Sequence, residues 1–155
     1  MAKVLVDTGP LVAWLDRGGD DHARCTAFFA EFQGQLVTTW PVLTEVCHLV
    51  PRHVIGRFMR WVAAGGVAVR ELSPTAADDI AVLMEKYDDL PMDLADASLV
   101  WLAEQVGFVE VITLDETDFG IYRLTDYWST FDESSDAVAW LAPPPCWLNP
   151  SSTKA

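Results

Sequence analysis

The apolar, β-rich runs in this chain are all short, and each gives way to a stretch of helical periodicity before the next begins. Residues 3–6 stop at Asp7-Thr8-Gly9-Pro10, 36–39 precede Pro41, 67–72 run into Ser73-Pro74, and 109–114 stop at Asp115. A chain that alternates strand and helix in this way packs its helices on the two faces of a parallel sheet. The pattern predicts a short helix at 11–15. A second follows the Gly18-Gly19 break, capped by Asp20 or Asp21, with Ala27, Phe28 and Phe32 inward. A third starts at Pro41 and buries Leu43, Val46, Cys47 and Val50, and a fourth covers 52–62 and ends at Gly65-Gly66. A fifth, after Ser73-Pro74, turns Ala77, Ile80, Ala81 and Met84 to the core, and a sixth spans 93–106 with Leu99, Leu102 and Val106 on one face. The expected fold class is therefore α/β, three layers around a central, mostly parallel sheet. Residues 1–130 are expected to form this domain, with an edge strand at 121–124, and 131–155 an acidic, proline-rich extension.

At 155 residues and 51% hydrophobic composition, one core forms without disulfides or a structural metal. Cys25, Cys47 and Cys146 are odd in number and have no CxxC spacing, which excludes a disulfide framework or zinc ribbon. No apolar run reaches the length of a membrane span, and Asp7 arrives too early for a signal peptide, so the cytoplasm is the expected location. The formal charge of -13 opposes broad, non-specific binding to nucleic acid. It leaves room for a local site where carboxylates collect around a cation.

The positions of the acids point to such a site. Ligands of open α/β sheets bind beyond the carboxyl ends of the strands, and Asp7 and Asp115 each end a predicted strand there. Glu45 falls early in the helix after the second strand. Asp93 and Asp96 share the first turn of another helix. Asp93 is the better helix cap, which leaves Asp96 without a structural reason. Five such carboxylates repel one another unless a cation neutralises them, and hard oxygen ligands favour Mg²⁺ or Mn²⁺. A cation there orients and acidifies water for attack on phosphorus, so metal-dependent phosphodiester hydrolysis is the expected chemistry. Arg52, Arg57 and Arg60 lie in a helix without acids, against the trend of the chain. They form either a solvated face or an RNA-binding rim, joined by Arg17, Arg24 or Arg123 if the fold brings them close.

Four segments in register, Val6-Asp7-Thr8-Gly9-Pro10-Leu11-Val12-Ala13, Thr44-Glu45-Val46, Asp93-Leu94-Ala95-Asp96-Ala97-Ser98-Leu99 and Thr113-Leu114-Asp115-Glu116-Thr117-Asp118-Phe119, carry a resemblance. Over residues 3–124 the chain resembles the PIN-domain family, and within it the VapC-type toxin ribonucleases. The resemblance implies a PIN-like α/β/α fold and Mg²⁺- or Mn²⁺-dependent cleavage of RNA. It implies Asp7, Glu45, Asp96 and Asp115 as the catalytic acids, with Asp7 and Asp96 the direct metal ligands. Asp93 and Asp118 become accessory acids, and Thr8 and Thr113 orient a carboxylate or a metal-bound water. The implied partners are RNA, a small antitoxin docking on the exposed part of 43–61, and a second copy of the chain, with no membrane. A PIN-like protein- or RNA-binding module without turnover is the alternative. A receiver domain fits poorly because Asp7 stands singly, and a haloacid-dehalogenase-like phosphatase fails because Gly9 occupies its second aspartate position.

Overall fold

The computed structural model describes residues 2–89, 92–106 and 110–114. Its strands are β1 (Ala2–Val6), β2 (Gly34–Thr39), β3 (Ala68–Arg70) and β4 (Val111–Ile112), and all pair in parallel in the order β3-β2-β1-β4. Val4, Leu5 and Val6 are buried in succession. A sheet with one wet face would alternate buried and exposed residues; an unbroken buried run means that helices cover both faces. These are α1 (Thr8–Leu15), α2 (His22–Glu31), α3 (Trp40–Leu49), α4 (Arg52–Ala63), α5 (Ala76–Lys86) and α6 (Leu94–Val106). The three-layer α/β reading holds.

The chain steps outward from β1 to β2 to β3, then returns to β1's other edge to lay down β4. The direction of winding therefore reverses between β1 and β4, which makes the carboxyl ends of those two strands the natural ligand crevice. Leu5 N–H donates to the Glu110 carbonyl at 2.9 Å and Asp7 N–H to the Ile112 carbonyl at 3.0 Å, tying the two ends together. Leu5, Leu11, Leu43, Phe58 and Leu99 are almost wholly buried and join strand and helices in one core. Trp14 links α1 to α2 through Phe29 at 5.1 Å and to α4 through Trp61 at 4.9 Å between ring centroids.

Several local expectations shift. α1 starts at Thr8 instead of residue 11, because Pro10 falls in the first turn, where an N–H has no helical partner to lose. α2 buries Cys25 and Phe29, while Phe28 and Phe32 stack on each other at 5.4 Å and Ala27 is exposed. In α5 the inward residues are Ala76, Ile80 and Leu83, with Met84 partly buried and Ala77 and Ala81 exposed. Alanine is too small to mark a face by itself, and the larger Ile80 and Leu83 set the rotation. Ser73 and Pro74 form a turn whose carbonyls accept the Ala76 and Ala77 N–H groups, so Thr75 takes the cap position. Val106 at the end of α6 is exposed. Gly65 closes α4 with φ of +88°, as its sequence position implies. Among the described residues no helix is long and apolar enough to cross a membrane. Asp115, Asp118, Arg123, the strand expected at 121–124 and the extension at 131–155 lie outside the described residues.

Candidate active site

Asp7 follows the last residue of β1 and is 7% exposed. It stands at the cap position of α1, yet its carboxylate makes no capping hydrogen bond. Instead, the Thr113 hydroxyl donates to Oδ2 at 3.0 Å from the end of β4. The adjacent Thr8 reaches the other way, its hydroxyl donating to Glu45 Oε2 on α3. Two threonines thus fix one oxygen on each of two acids from different elements. The Thr38 hydroxyl donates to the Val6 carbonyl at 2.9 Å and holds the end of β1 against β2.

The first turn of α6 supplies the other acids. Asp93 Oδ1 accepts the Asp96 N–H at 2.9 Å, and Asp96 Oδ2 lies 3.4 Å from the Asp93 N–H. This is a capping box built with aspartate where glutamate or glutamine is usual. Capping accounts for Asp93, as its position in sequence suggests; Asp96 returns only the longer bond and keeps Oδ1 uncommitted to the cap. The helix is anchored from below by a buried hydroxyl pair. Ser98 donates to the Ala95 carbonyl at 2.7 Å, so its single proton is used there, and Thr39 is the donor across the 2.6 Å contact to Ser98 Oγ. Ser98→Ala should cost about 1–3 kcal/mol in a urea melt, because it strands the buried Thr39 hydroxyl. Combining it with Thr39→Val should recover part of that loss.

The electrostatics agree with the geometry. Burial above all pushes the Asp7 carboxyl up to about 6, with the charges of Glu45 and Asp93 adding and the Thr8 N–H and Thr113 hydroxyl opposing. Burial first, then Asp93, Asp7 and Glu45, push Asp96 up to about 7. Glu45 is also raised, by burial first and by the neighbouring Asp93 carboxyl, while the Thr8 hydroxyl pulls it down. Asp7, Glu45, Asp93 and Asp96 therefore sense one another from three elements. Among the described residues Arg24 pairs with Asp21 at 3.2 Å, and no Lys or Arg pairs with this group of acids. Nor do any three Asp, Glu, His or Cys side chains already converge as a finished metal cage among those residues.

Arg52, Arg57 and Arg60 are exposed on α4, whose buried side is Phe58, Trp61 and Val62. Among the described residues no hydrogen bond or ion pair joins them to the acids. The hydroxyl pair Thr39–Ser98 escapes a reading of the sequence, because its two members come from elements far apart in the chain.

A PIN domain family model matches residues 4–123. Ribonuclease VapC26 of Mycobacterium tuberculosis is 27% identical over 124 residues, covering 77% of this chain and 92% of that protein. The crystal structure of Mycobacterium tuberculosis VapC20, described as a sarcin-ricin loop cleaving toxin, superimposes with a TM-score of 0.65. That match is 21% identical and covers 76% of this chain and 92% of the other.

Proposed function

The chain belongs to the PIN-domain family, and from that premise we propose that it is a divalent-metal-dependent endoribonuclease, the toxin of a type II toxin-antitoxin pair. The observation that carries the reading is the group of Asp7, Glu45, Asp93 and Asp96, held in mutual electrostatic contact at the strand ends without a compensating ion pair among the described residues. The donors are all carboxylate oxygens, which suits Mg²⁺ or Mn²⁺ better than a softer metal. An open arrangement also suits Mg²⁺, which takes one or two carboxylates directly and fills its remaining positions with water and substrate phosphate. Asp7 and Asp96 would hold the ion, with Glu45 and Asp115 completing the site through water.

When bound, a divalent ion lowers the pKa of its water and offsets charge that develops on the phosphate. The protein's own part is orientation and proton transfer. Thr113 fixes Asp7 Oδ2, which aims the remaining oxygen, and Thr8 fixes Glu45 Oε2. Glu45 Oε1 is then the atom that accepts a proton from the attacking water, its affinity for protons raised by burial and by Asp93. Asp93 holds the first turn of α6 so that Asp96 faces the crevice. The α4 arginines would contact phosphates at a distance from the chemistry. Arg57→Ala with Arg60→Ala should weaken RNA binding and flatten its salt dependence, and unchanged binding at low salt would remove that role.

A small antitoxin is the proposed protein partner, docking over 43–61, where Leu49 is 61% exposed. A second copy of the chain completes a homodimer. Incubating the pure protein with structured and single-stranded RNA in Mg²⁺, Mn²⁺ or EDTA tests the activity. Cleavage with either metal and none in EDTA is expected; cleavage in EDTA would overturn the mechanism, and binding without cleavage in every metal would assign a module without turnover.

A further inference from the structure

Two polar residues sit in the core where apolar ones would serve the fold as well. Thr39 and Ser98 are both wholly buried, and Ser98 is flanked on α6 by Ala95, Ala97, Leu99 and Val100, all buried with it. Serine is a weaker helix former than alanine, and a hydroxyl bonded back to a carbonyl three residues earlier tends to bend the helix. Thr39 gives something up too. It stands at the cap position of α3 with a hydroxyl suited to capping, yet makes no capping bond and turns to Ser98 across 2.6 Å. An apolar pair of the same shape is often neutral or stabilising, so stability gives no reason for the hydroxyls.

What the pair holds is the peptide unit that carries Asp96. The Ala95 carbonyl and the Asp96 N–H belong to one planar group. Ser98 Oγ donates to that carbonyl at 2.7 Å, and Asp93 Oδ1 accepts from that N–H at 2.9 Å, so the unit is gripped on both sides. Each bond polarises the amide and strengthens the other. Asp93 fixes the unit only within its own helix, whereas Ser98 extends the grip to Thr39, the last residue of β2 and the point from which α3 departs. α3 in turn carries Glu45.

We propose that Thr39 and Ser98 are positioning residues for the metal site, setting where Asp96 stands relative to Glu45 and Asp7. The inference rests on the metal-dependent reading and assigns to two hydroxyls outside the acidic group the task of holding its members in place. Mg²⁺ tolerates little departure from octahedral geometry with oxygens at about 2.0–2.1 Å, so a small displacement of one carboxylate weakens binding. Mn²⁺ takes the same kind of oxygen shell and can be followed spectroscopically.

The test uses the full-length protein without RNA and reads Mn²⁺ affinity from the electron paramagnetic resonance signal of the free ion, with urea melts and RNA cleavage alongside. Ser98→Ala should weaken Mn²⁺ binding about tenfold and lower cleavage with it. Thr39→Val combined with Ser98→Ala strands no hydroxyl, so it should regain stability yet bind Mn²⁺ no better than Ser98→Ala. Thr39→Ser should do the reverse, losing stability with its methyl group but keeping near-wild-type Mn²⁺ affinity because the hydroxyl remains. If Ser98→Ala does not fold, the double variant carries the comparison. Mn²⁺ affinity that rises and falls with stability through this series, or wild-type affinity in the double variant, would overturn the positioning role and leave the metal reading intact. A wild-type protein that binds no Mn²⁺ would overturn the metal reading and this inference with it. Ser98-dependent Mn²⁺ binding in a protein that cuts no RNA would overturn the cleavage reading and uphold the positioning role.

Discussion

Asp7→Asn and Asp96→Asn should each lower RNA cleavage at least about a hundredfold, since each removes a proposed direct ligand and with it several kcal/mol of stabilisation of the transition state. The same changes should leave the metal-free protein no less stable. Asp7 is buried with its carboxyl raised to about 6, so at neutral pH the fold holds a charge it would rather shed, and the amide sheds it without changing shape. In Asp7→Asn the Thr113 hydroxyl can still donate to the amide oxygen of the new side chain, so the β1–β4 clamp survives. Loss of cleavage together with an equal or higher melting temperature separates a chemical role from a structural one. Retained cleavage in both variants would sink the proposed mechanism.

A second large effect concerns pH and metal. Below about pH 3 the Asp7 carboxyl is protonated in both the folded and unfolded chain and costs nothing. As pH rises, the unfolded chain ionises near 3.8 while the folded one keeps its proton to about 6. The native state binds more protons across that window, so its stability falls as pH rises. For Asp7 alone the loss is about 3 kcal/mol, complete above about pH 7. Asp96, raised to about 7, and Glu45 push in the same direction. Urea melts in EDTA should therefore show this contribution disappearing between about pH 4 and 7, and Asp7→Asn should flatten it. A divalent cation binds the ionised acids and should raise the melting temperature more at about pH 7.5 than at about pH 5. Equal stabilisation at both pH values, or none, would count against a metal at these carboxylates.

Much of this is legible before any coordinates, and the boundary has a physical cause. The unbroken apolar run ending at Asp7 announces a buried parallel strand with an acid at its tip, and the spacing of Asp93 and Asp96 announces a shared first turn. Both are local properties. The union of Glu45 with Thr8, and of Thr39 with Ser98, depends on how distant helices rotate once packed, for which the sequence carries no period. The α5 face departs from expectation for a related reason: Ala77 and Ala81 have helical spacing but too little surface to set the helix rotation, which the larger Ile80 and Leu83 decide. The α4 arginines are the opposite case, conspicuous in sequence and exposed in the fold, with no hydrogen bond or ion pair to the acids among the described residues.

The clamp between the first and last described strands also has a consequence in time. Asp7 leaves the ribosome almost at once, but Thr113, whose hydroxyl orients it, is 106 residues behind. At synthesis rates of about 5–20 residues per second, the two are separated by about 5 to 20 s. Within that interval the growing chain can pair β1 with β2 and then β2 with β3, while β4, the neighbour on β1's other edge, has not been made. A nascent chain short of Thr113 therefore lacks the clamp that orients Asp7. The proposed centre closes only once synthesis has passed Thr113 and β4 has docked on β1.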